Sequence, residues 1–144
     1  MPATPVFTQF NLVVSDMEAT VAFYRRLGLA IPDHDPAWPN NHRSGSLPGG
    51  FDLDFDTVEF ARQWNQGWTA TPGGGMGVLG FAVESREAVD VLYADMAGAG
   101  YNGQQPPYDA FWGARYAVLS DPDGNAVGIM SPMSPDHCSA MPGS

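Results

Sequence analysis

Hydrophobic and polar residues alternate most regularly in residues 51–57, FDLDFDT. The apolar positions are Phe51, Leu53 and Phe55, and the acidic positions are Asp52, Asp54 and Asp56. A period of two places the two sets on opposite faces of a β-strand. Residues 57–68, TVEFARQWNQGW, are predicted to form a short helix against which Trp64 and Trp68 pack.

The N-terminal part of the chain has the pattern of a strand followed by a helix. Residues 7–16, FTQFNLVVSD, are predicted to form a strand, and Ser15 or Asp16 can cap the helix that follows. Gly28 is a natural stop for this helix, whose apolar stripe is Met17, Val21, Tyr24 and Leu27. Residues 32–45 are rich in Pro, Asn and Asp and are predicted to be loop or strand margin.

The same order of elements returns later in the chain. Residues 78–101 again predict a strand, a cap, a helix and a glycine stop. A shift of 69 residues superimposes four identical pairs: Val14 on Val83, Glu18 on Glu87, Ala19 on Ala88 and Tyr24 on Tyr93. We interpret the chain as a duplicated module, 5–70 and 76–133, followed by a flexible tail at 134–144.

Each module is predicted to be a βαβββ unit, so the expected fold is α+β, with helices outside two cupped mixed or antiparallel sheets. The second module ends in a hairpin over residues 111–130, whose turn is Asp121 to Asn125. Residues 69–77, TATPGGGMG, have the composition of a flexible joint between the modules.

Composition narrows the classes of partner. The chain of 144 residues has six arginines, no lysine and 16 acidic residues, for a formal net charge of -10. Nucleic acid is therefore excluded as an expected partner, because its binding needs cationic side chains. The acidity favours solubility, or a preference for cationic or neutral ligands.

Membrane insertion and disulfide chemistry are not expected either. No run of 18 apolar residues is present, so we expect no membrane span. No signal peptide is visible, and the lone Cys138 cannot form an intrachain disulfide, so a cytoplasmic location is predicted. Cys138 is expected to be an inert residue of the tail.

Two motifs, LVVSDMEATVAFYRRLGL (12–29) and WGARYAVLSDPDGN (112–125), resemble the vicinal oxygen chelate superfamily. This superfamily includes glyoxalase I, extradiol dioxygenases, fosfomycin-modifying enzymes and bleomycin-binding proteins, and the resemblance spans about residues 5–133. The segments FDLDFDTVE, YADMAGAGY and FWGARYAVLSDPDGN are more closely similar to mitomycin-binding resistance proteins. Those relatives are non-catalytic and hold a drug between aromatic side chains in the grooves of a homodimer.

The resemblance implies positions for a divalent metal, which this chain fills poorly. The first-strand ligand falls on Gln9, and its repeat partner falls on Val78. The acid expected in the last strand falls on Gly128, whereas Asp54, or Asp52, lies near the matching position of the first module. His34, His42 and His137 are all placed in loops or the tail. We therefore predict no metal, no other cofactor and no catalytic residue.

The resemblance also implies residues for holding a ligand. Trp112 is expected to be a stacking platform, with Tyr108 and Phe111 beside it, and Trp38 to be the opposing wall. Asp52, Asp54 and Gln9 are predicted on the ligand-facing side of the first sheet, with Asp56 nearer the rim. Arg115 is expected to neutralise one of these acids.

The predicted function is non-catalytic sequestration, by a cytoplasmic homodimer, of an aromatic antibiotic or similar small molecule, with or without a cationic group. The modules are expected to be exchanged between chains through the joint. The first alternative is a metal-dependent lyase, isomerase or dioxygenase with non-standard ligands. The others are a metal-free enzyme using the same cavity and a member of the superfamily that binds a small metabolite.

Overall fold

The computed structural model describes residue 4 and residues 6–70 and 75–140. The chain divides into two compact units, Met1–Ala70 and Thr71–Ser144. The division falls within the stretch that composition identifies as a joint, but residues 71–74 of that stretch lie outside the described residues. Each unit is described by itself below.

The first unit contains three strands and two helices. The elements are β1 (Gln9–Val14), α1 (Met17–Leu27), β2 (His42–Ser46), β3 (Asp52–Thr57) and α2 (Val58–Trp64). The sheet order is β1-β3-β2, with β1 parallel and β2 antiparallel to β3. The unit has one strand fewer than a βαβββ module, because residues 28–41 form no strand. Three prolines in that stretch remove backbone donors that a strand needs.

Helix α1 forms as its sequence predicts. Asp16 is the N-cap, and its side chain accepts a hydrogen bond from the backbone N–H of Ala19 at 3.0 Å. Gly28 ends the helix at a φ of 121°, a conformation that side chains with a Cβ rarely adopt. The buried stripe packs on one face of β3, where the rings of Tyr24 and Phe55 lie 5.1 Å apart.

The second unit has the full βαβββ order. Its elements are β4 (Val78–Ala82), α3 (Arg86–Gly98), β5 (Gly103–Asp109), β6 (Arg115–Ser120) and β7 (Ala126–Met130). The sheet order is β4-β7-β6-β5, in which β4 is parallel to β7 and the other pairs are antiparallel. Ser85 caps α3 through the N–H of Ala88. The α+β class, with helices and two small mixed sheets, is confirmed.

The predicted turn between β6 and β7 is also observed. Asp121 organises it: one side-chain oxygen accepts from the N–H groups of Asp123 and Asn125, and the other accepts from the Asn125 amide, each at 2.9 Å. Gly124 adopts a φ of 86°, so the glycine is required at that position.

The two units share one internal arrangement. Their helix N-caps, Asp16 and Ser85, are 69 residues apart, the same shift that aligns the sequences. In the sheets, Asn11 pairs with Asp54 and Gly80 pairs with Gly128, each near the middle of a parallel strand pair. The position of the second unit that is equivalent to Asp54 is therefore Gly128.

The tail predicted to be flexible is partly ordered. Pro135–His137 form a short 3-10 helix, and residues 112 and 138 form a β-bridge. The N–H of Ser134 donates to the carbonyl of Gly113, and the N–H of Ser139 donates to that of Phe111. The chain through residue 139 is thus fixed to the loop that carries Trp112. No helix among the described residues is long and apolar enough to cross a membrane.

Candidate functional site

The acidic face of β3 forms the wall of a cavity in the first unit. Alternation along β3 places Leu53 and Phe55 in the core, while Asp54 and Asp56 lie on the opposite face. The cavity measures about 570 Å³ and is lined by Gln9, Asn11, His42, Asp54, Asp56, Phe60 and Trp64. We call it the polar cavity.

Helix α2 supplies the aromatic side of the polar cavity. It begins directly after β3, and the hydroxyl of Thr57 accepts from the N–H of Phe60 at 3.3 Å to cap it. Phe60 and Trp64 are four residues apart, so one helical face presents both rings. Trp64 was predicted to pack the helix, but half of it is exposed and it lines the cavity.

A chain of hydrogen bonds fixes the most deeply buried acid of the polar cavity. Gln9 donates its Nε2 to Asn11 Oδ1 at 2.8 Å, and Asn11 donates its Nδ2 to Asp56 Oδ2 at 2.8 Å. The other oxygen of Asp56 is bonded to Nδ1 of His42. Both oxygens of Asp56 are therefore occupied, and its side chain is 1 % exposed.

Asp54 is held differently. Its Oδ1 accepts the hydroxyl of Ser44 at 2.5 Å, and the residue is 6 % exposed. Its Oδ2 has no hydrogen-bond partner among the described residues. Asp54 and Gln9 thus line one cavity, whereas Asp52 is half-buried at the start of β3 and does not line that cavity. That a ligand binds on this side of the sheet stays a prediction.

Two expectations about this cavity were wrong. Asp56 was placed nearer the rim, but it is the most buried acid of β3, because its carboxylate bonds inward to Asn11 and His42. His42 was placed in a loop, but it begins β2 and pairs directly with Asp56 across the sheet. The sequence did not predict that residues 42–46 pair with β3.

The second unit carries an aromatic cluster in place of polar side chains. The ring centroid of Trp112 lies 5.1 Å from that of Phe111 and 5.6 Å from that of Tyr116, and Tyr108 lies 6.3 Å from Tyr116. Nε1 of Trp112 donates to the sulfur of Met130 at 3.3 Å. We call Tyr108, Phe111, Trp112 and Tyr116 the aromatic cluster. Of the predicted ligand residues, Tyr108, Phe111 and Trp112 are thus brought together.

Tyr116 explains the absence of a side chain at position 128. The two residues share the face of the sheet opposite the buried residues Val127 and Ile129, and the Tyr116 ring lies against Gly128. Burial raises the pKa of the Tyr116 phenol above its usual value, with a further contribution from Tyr108. The position that resemblance assigns to a carboxylate is occupied by a neutral phenol.

Arg115 was expected to neutralise one of the acids of β3, but its ion-pair partners are other residues. It forms ion pairs with Asp90 at 3.0 Å and Asp109 at 3.1 Å within its own unit. Arg86 also pairs with Asp109. The hydrogen bond from Arg115, more than the charge of Arg86, lowers the pKa of the Asp109 carboxyl despite some desolvation.

Trp38 stands apart from the other predicted residues of the first unit. It is 70 % exposed, in the loop between α1 and β2. Its backbone is fixed, because its N–H donates to the carbonyl of Asp35 and its own carbonyl bonds to Nε2 of His34 at 2.6 Å. The loop therefore presents the indole to solvent.

The chemistry of these residues does not fit a divalent metal of the kind the resemblance implies. Among the described residues, no group of three or more His, Cys, Asp and Glu side chains is arranged to hold a metal ion. In the second unit, Val78 offers no donor atom and Gly128 lies beneath the Tyr116 ring. At the two ligand positions that the resemblance assigns to the first unit, Gln9 and Asp54 remain as oxygen donors, but two ligands do not complete a metal site.

Comparison with known proteins agrees with this fold. A hypothetical protein from S. aureus has a TM-score of 0.75 at 21% identity, covering 91% of this chain and 96% of its own. A glyoxalase/bleomycin resistance protein/dioxygenase family enzyme from Burkholderia phytofirmans has a TM-score of 0.70 at 25% identity, covering 87% and 97%. A lactoylglutathione lyase from Agrobacterium tumefaciens has a TM-score of 0.64 at 19% identity, covering 91% and 96%.

No curated protein matches the chain. The model of one family, however, matches residues 6–129, which is most of the sequence. Its span covers most of both units, including the strands that carry the polar cavity and the aromatic cluster. The chain therefore belongs to the Glyoxalase/Bleomycin resistance protein/Dioxygenase superfamily, the vicinal oxygen chelate group.

Proposed function

We propose that this protein binds an aromatic small molecule of the antibiotic type, with or without a cationic group, and sequesters it without converting it. The observation that carries the proposal is the aromatic cluster around Gly128. Where the resemblance places a metal-binding acid, this chain has a glycine covered by the ring of Tyr116. An aromatic ring surface therefore takes the place of a metal-coordinating oxygen at that position.

The partly exposed rings of the cluster suit a planar ligand. Tyr108 is 38% exposed, and Phe111, Trp112 and Tyr116 are half-buried, so ring surface remains accessible in this unit. Each aromatic pair contributes about 0.5–1.5 kcal/mol beyond the burial of area. Together with burial of the ligand, this is compatible with micromolar binding, about 8 kcal/mol.

Tryptophan emission tests the proposal directly, because the chain has four tryptophans that can be replaced one at a time. We expect a mitomycin, a bleomycin or a peptide intercalator to quench the emission at micromolar concentration. Trp112→Phe should weaken that binding at least tenfold. Trp68→Phe is the matched control, because Trp68 belongs to the first unit, where the Arg62 guanidinium lies over its ring. Absence of quenching by every planar drug in such a panel would refute the proposal.

The proposal includes a homodimer, because the relatives that hold drugs do so as dimers. Light scattering coupled to gel filtration should give about twice the chain mass of 15.4 kDa. A mass of one chain that is unchanged by a bound drug would remove this part of the proposal. The expected cytoplasmic location stays a prediction.

A second candidate function is a metal-dependent enzyme with non-standard ligands. It is favoured by the retention of Gln9 and Asp54, which both line the polar cavity, and one structural neighbour is a lactoylglutathione lyase. Elemental analysis of gently purified protein separates the two functions. Stoichiometric Ni, Zn, Mn or Fe that is lost in Asp54→Asn would favour the enzyme.

A further inference from the structure

We infer that the polar cavity of the first unit is a binding site for a primary ammonium group, with Asp54 and His42 as acceptors and the rings of α2 as walls. This inference rests on the proposed function and specifies the chemical class of the ligand's cationic group. It concerns the first unit alone and does not involve the aromatic cluster.

The first argument is an imbalance of charge. Asp54 and Asp56 lie on the same face of β3 and are 6% and 1% exposed. Neither forms an ion pair with an arginine of the described residues, and the chain contains no lysine. His42 bonds to Asp56, so Asp54 is left with only the neutral hydroxyl of Ser44. A bound cation would supply the charged partner that Asp54 lacks among the described residues.

The second argument is the set of hydrogen-bonding atoms that remains free. Asp54 Oδ2 and His42 Nε2 have no hydrogen-bond partner among the described residues. When Nδ1 of the neutral imidazole donates to Asp56, Nε2 is left as an acceptor. A ligand that satisfies two acceptors must bring N–H or O–H donors, and a primary ammonium has three donors and no acceptor.

The rigidity of the cavity adds to its specificity. The bonds from Gln9 to Asn11 and from Asn11 to Asp56 occupy the Asp56 carboxylate and thereby fix the His42 ring. His42 is therefore held in place before a ligand arrives, and Asp54 is held separately by the hydroxyl of Ser44. This order reduces the entropy lost on binding.

The third argument is the shape and chemistry of the walls. The ring of His42 lies 6.0 Å from that of Phe60, and Trp64, which is half-exposed, also lines the cavity. Aromatic faces attract cations electrostatically, and they cover the apolar part of an organic amine. The volume of about 570 Å³ lies within the range of small-molecule sites.

Three probes with the same ring separate the roles of charge and hydrogen bonding. Benzylammonium carries both charge and N–H donors, benzyltrimethylammonium carries charge alone, and benzyl alcohol carries a donor without charge. Calorimetric titration of the full chain should give benzylammonium at least tenfold tighter binding than either of the others. Equal binding of benzyl alcohol would overturn the charge argument, and equal binding of benzyltrimethylammonium would overturn the acceptor argument.

Two variants assign the binding to Asp54. Asp54→Asn should weaken benzylammonium about tenfold to a hundredfold, as expected for loss of a charge-assisted hydrogen bond. Asp52→Asn is the matched control: it makes the same change of charge on the same strand, outside the cavity, and should alter binding less than twofold. Equal effects of the two variants would mean attraction by net charge only and would overturn the inference.

A further variant separates an effect on binding from an effect on folding. Trp64→Phe changes a half-exposed ring and should leave the thermal unfolding midpoint nearly unchanged while weakening benzylammonium severalfold. Unchanged affinity in that variant would overturn the role of the α2 wall. If a drug still quenches Trp112 while benzylammonium does not bind, only this inference fails. If benzylammonium binds and is sensitive to Asp54→Asn while no drug quenches Trp112, only sequestration fails.

Discussion

The phenol of Tyr116 occupies the space that any side chain at Gly128 would need. A Cβ built on Gly128 would lie 2.6 Å from the Tyr116 oxygen and 3.1 Å from the nearest ring carbon. The two residues are diagonal neighbours on one face of the β6–β7 pair, since Tyr116 pairs with Met130 and Val118 pairs with Gly128. At the strand position that holds an acid in the first unit, a side chain would therefore require the Tyr116 ring to shift.

Replacement of this glycine should be destabilising. We expect Gly128→Ala to cost about 1–3 kcal/mol of unfolding free energy, the usual range for overpacking. Gly80→Ala is the matched control, because Gly80 pairs with Gly128 and its added Cβ meets nothing within 4 Å. Urea unfolding measures both variants. Equal stability of the two would show that the Tyr116 ring moves aside freely.

The link between Asp56 and its neighbours should also stabilise the first unit. Asp56→Asn keeps the size but places an amide donor against the donors of Asn11 or His42. We expect a loss of about 1–3 kcal/mol, the cost of leaving a buried polar group unsatisfied. Asp52→Asn should change the urea midpoint little, because Asp52 is half-buried. A similarly small effect at Asp56 would contradict the role of the network.

Most of the local structure was predictable from the sequence. The Asp16 cap, the Gly28 stop, the aspartate strand and the Asp121 turn depend on side-chain chemistry within a few residues. The repeat at 69 residues was predictable because both helices begin at the same point of the module.

The contacts that depend on strand pairing were not predictable. His42 approaches Asp56 only because β2 and β3 pair in one particular register, and the short strand HRSGS has too few apolar residues to reveal it. The exchange of acid for phenol at Gly128 likewise depends on a diagonal neighbour in the next strand. Arg115 was misassigned because its counter-ions lie on α3 and β5.

The acid side of the stability curve should depend on Asp109. The pKa of this carboxyl is lowered from 3.8 in the folded chain, mainly by the hydrogen bond from Arg115. A lowered pKa adds stability above the unfolded value, and that stability is lost as the pH falls through the folded value. In Asp109→Asn, unfolding free energy should therefore decline less steeply than in the parent below about pH 4. Parallel curves for the two proteins would contradict the pairing with Arg115.

At alkaline pH the unfolding free energy should depend on Tyr116, and there it should fall as the pH rises. Burial, with a smaller contribution from Tyr108, raises the pKa of the phenol above 10.0 in the folded chain. Above about pH 10 the folded state therefore keeps a proton that the unfolded state releases. The unfolding free energy is unaffected by this group below that pH and falls as the pH rises beyond it. Tyr116→Phe removes this titration and should flatten the decline of the unfolding free energy above pH 10. Absorbance of phenolate at 295 nm, recorded with the unfolding curve, reports the same event because a buried phenol ionises later than an exposed one. If Tyr116→Phe loses stability above pH 10 as steeply as the parent, the phenol over Gly128 is not the protected group.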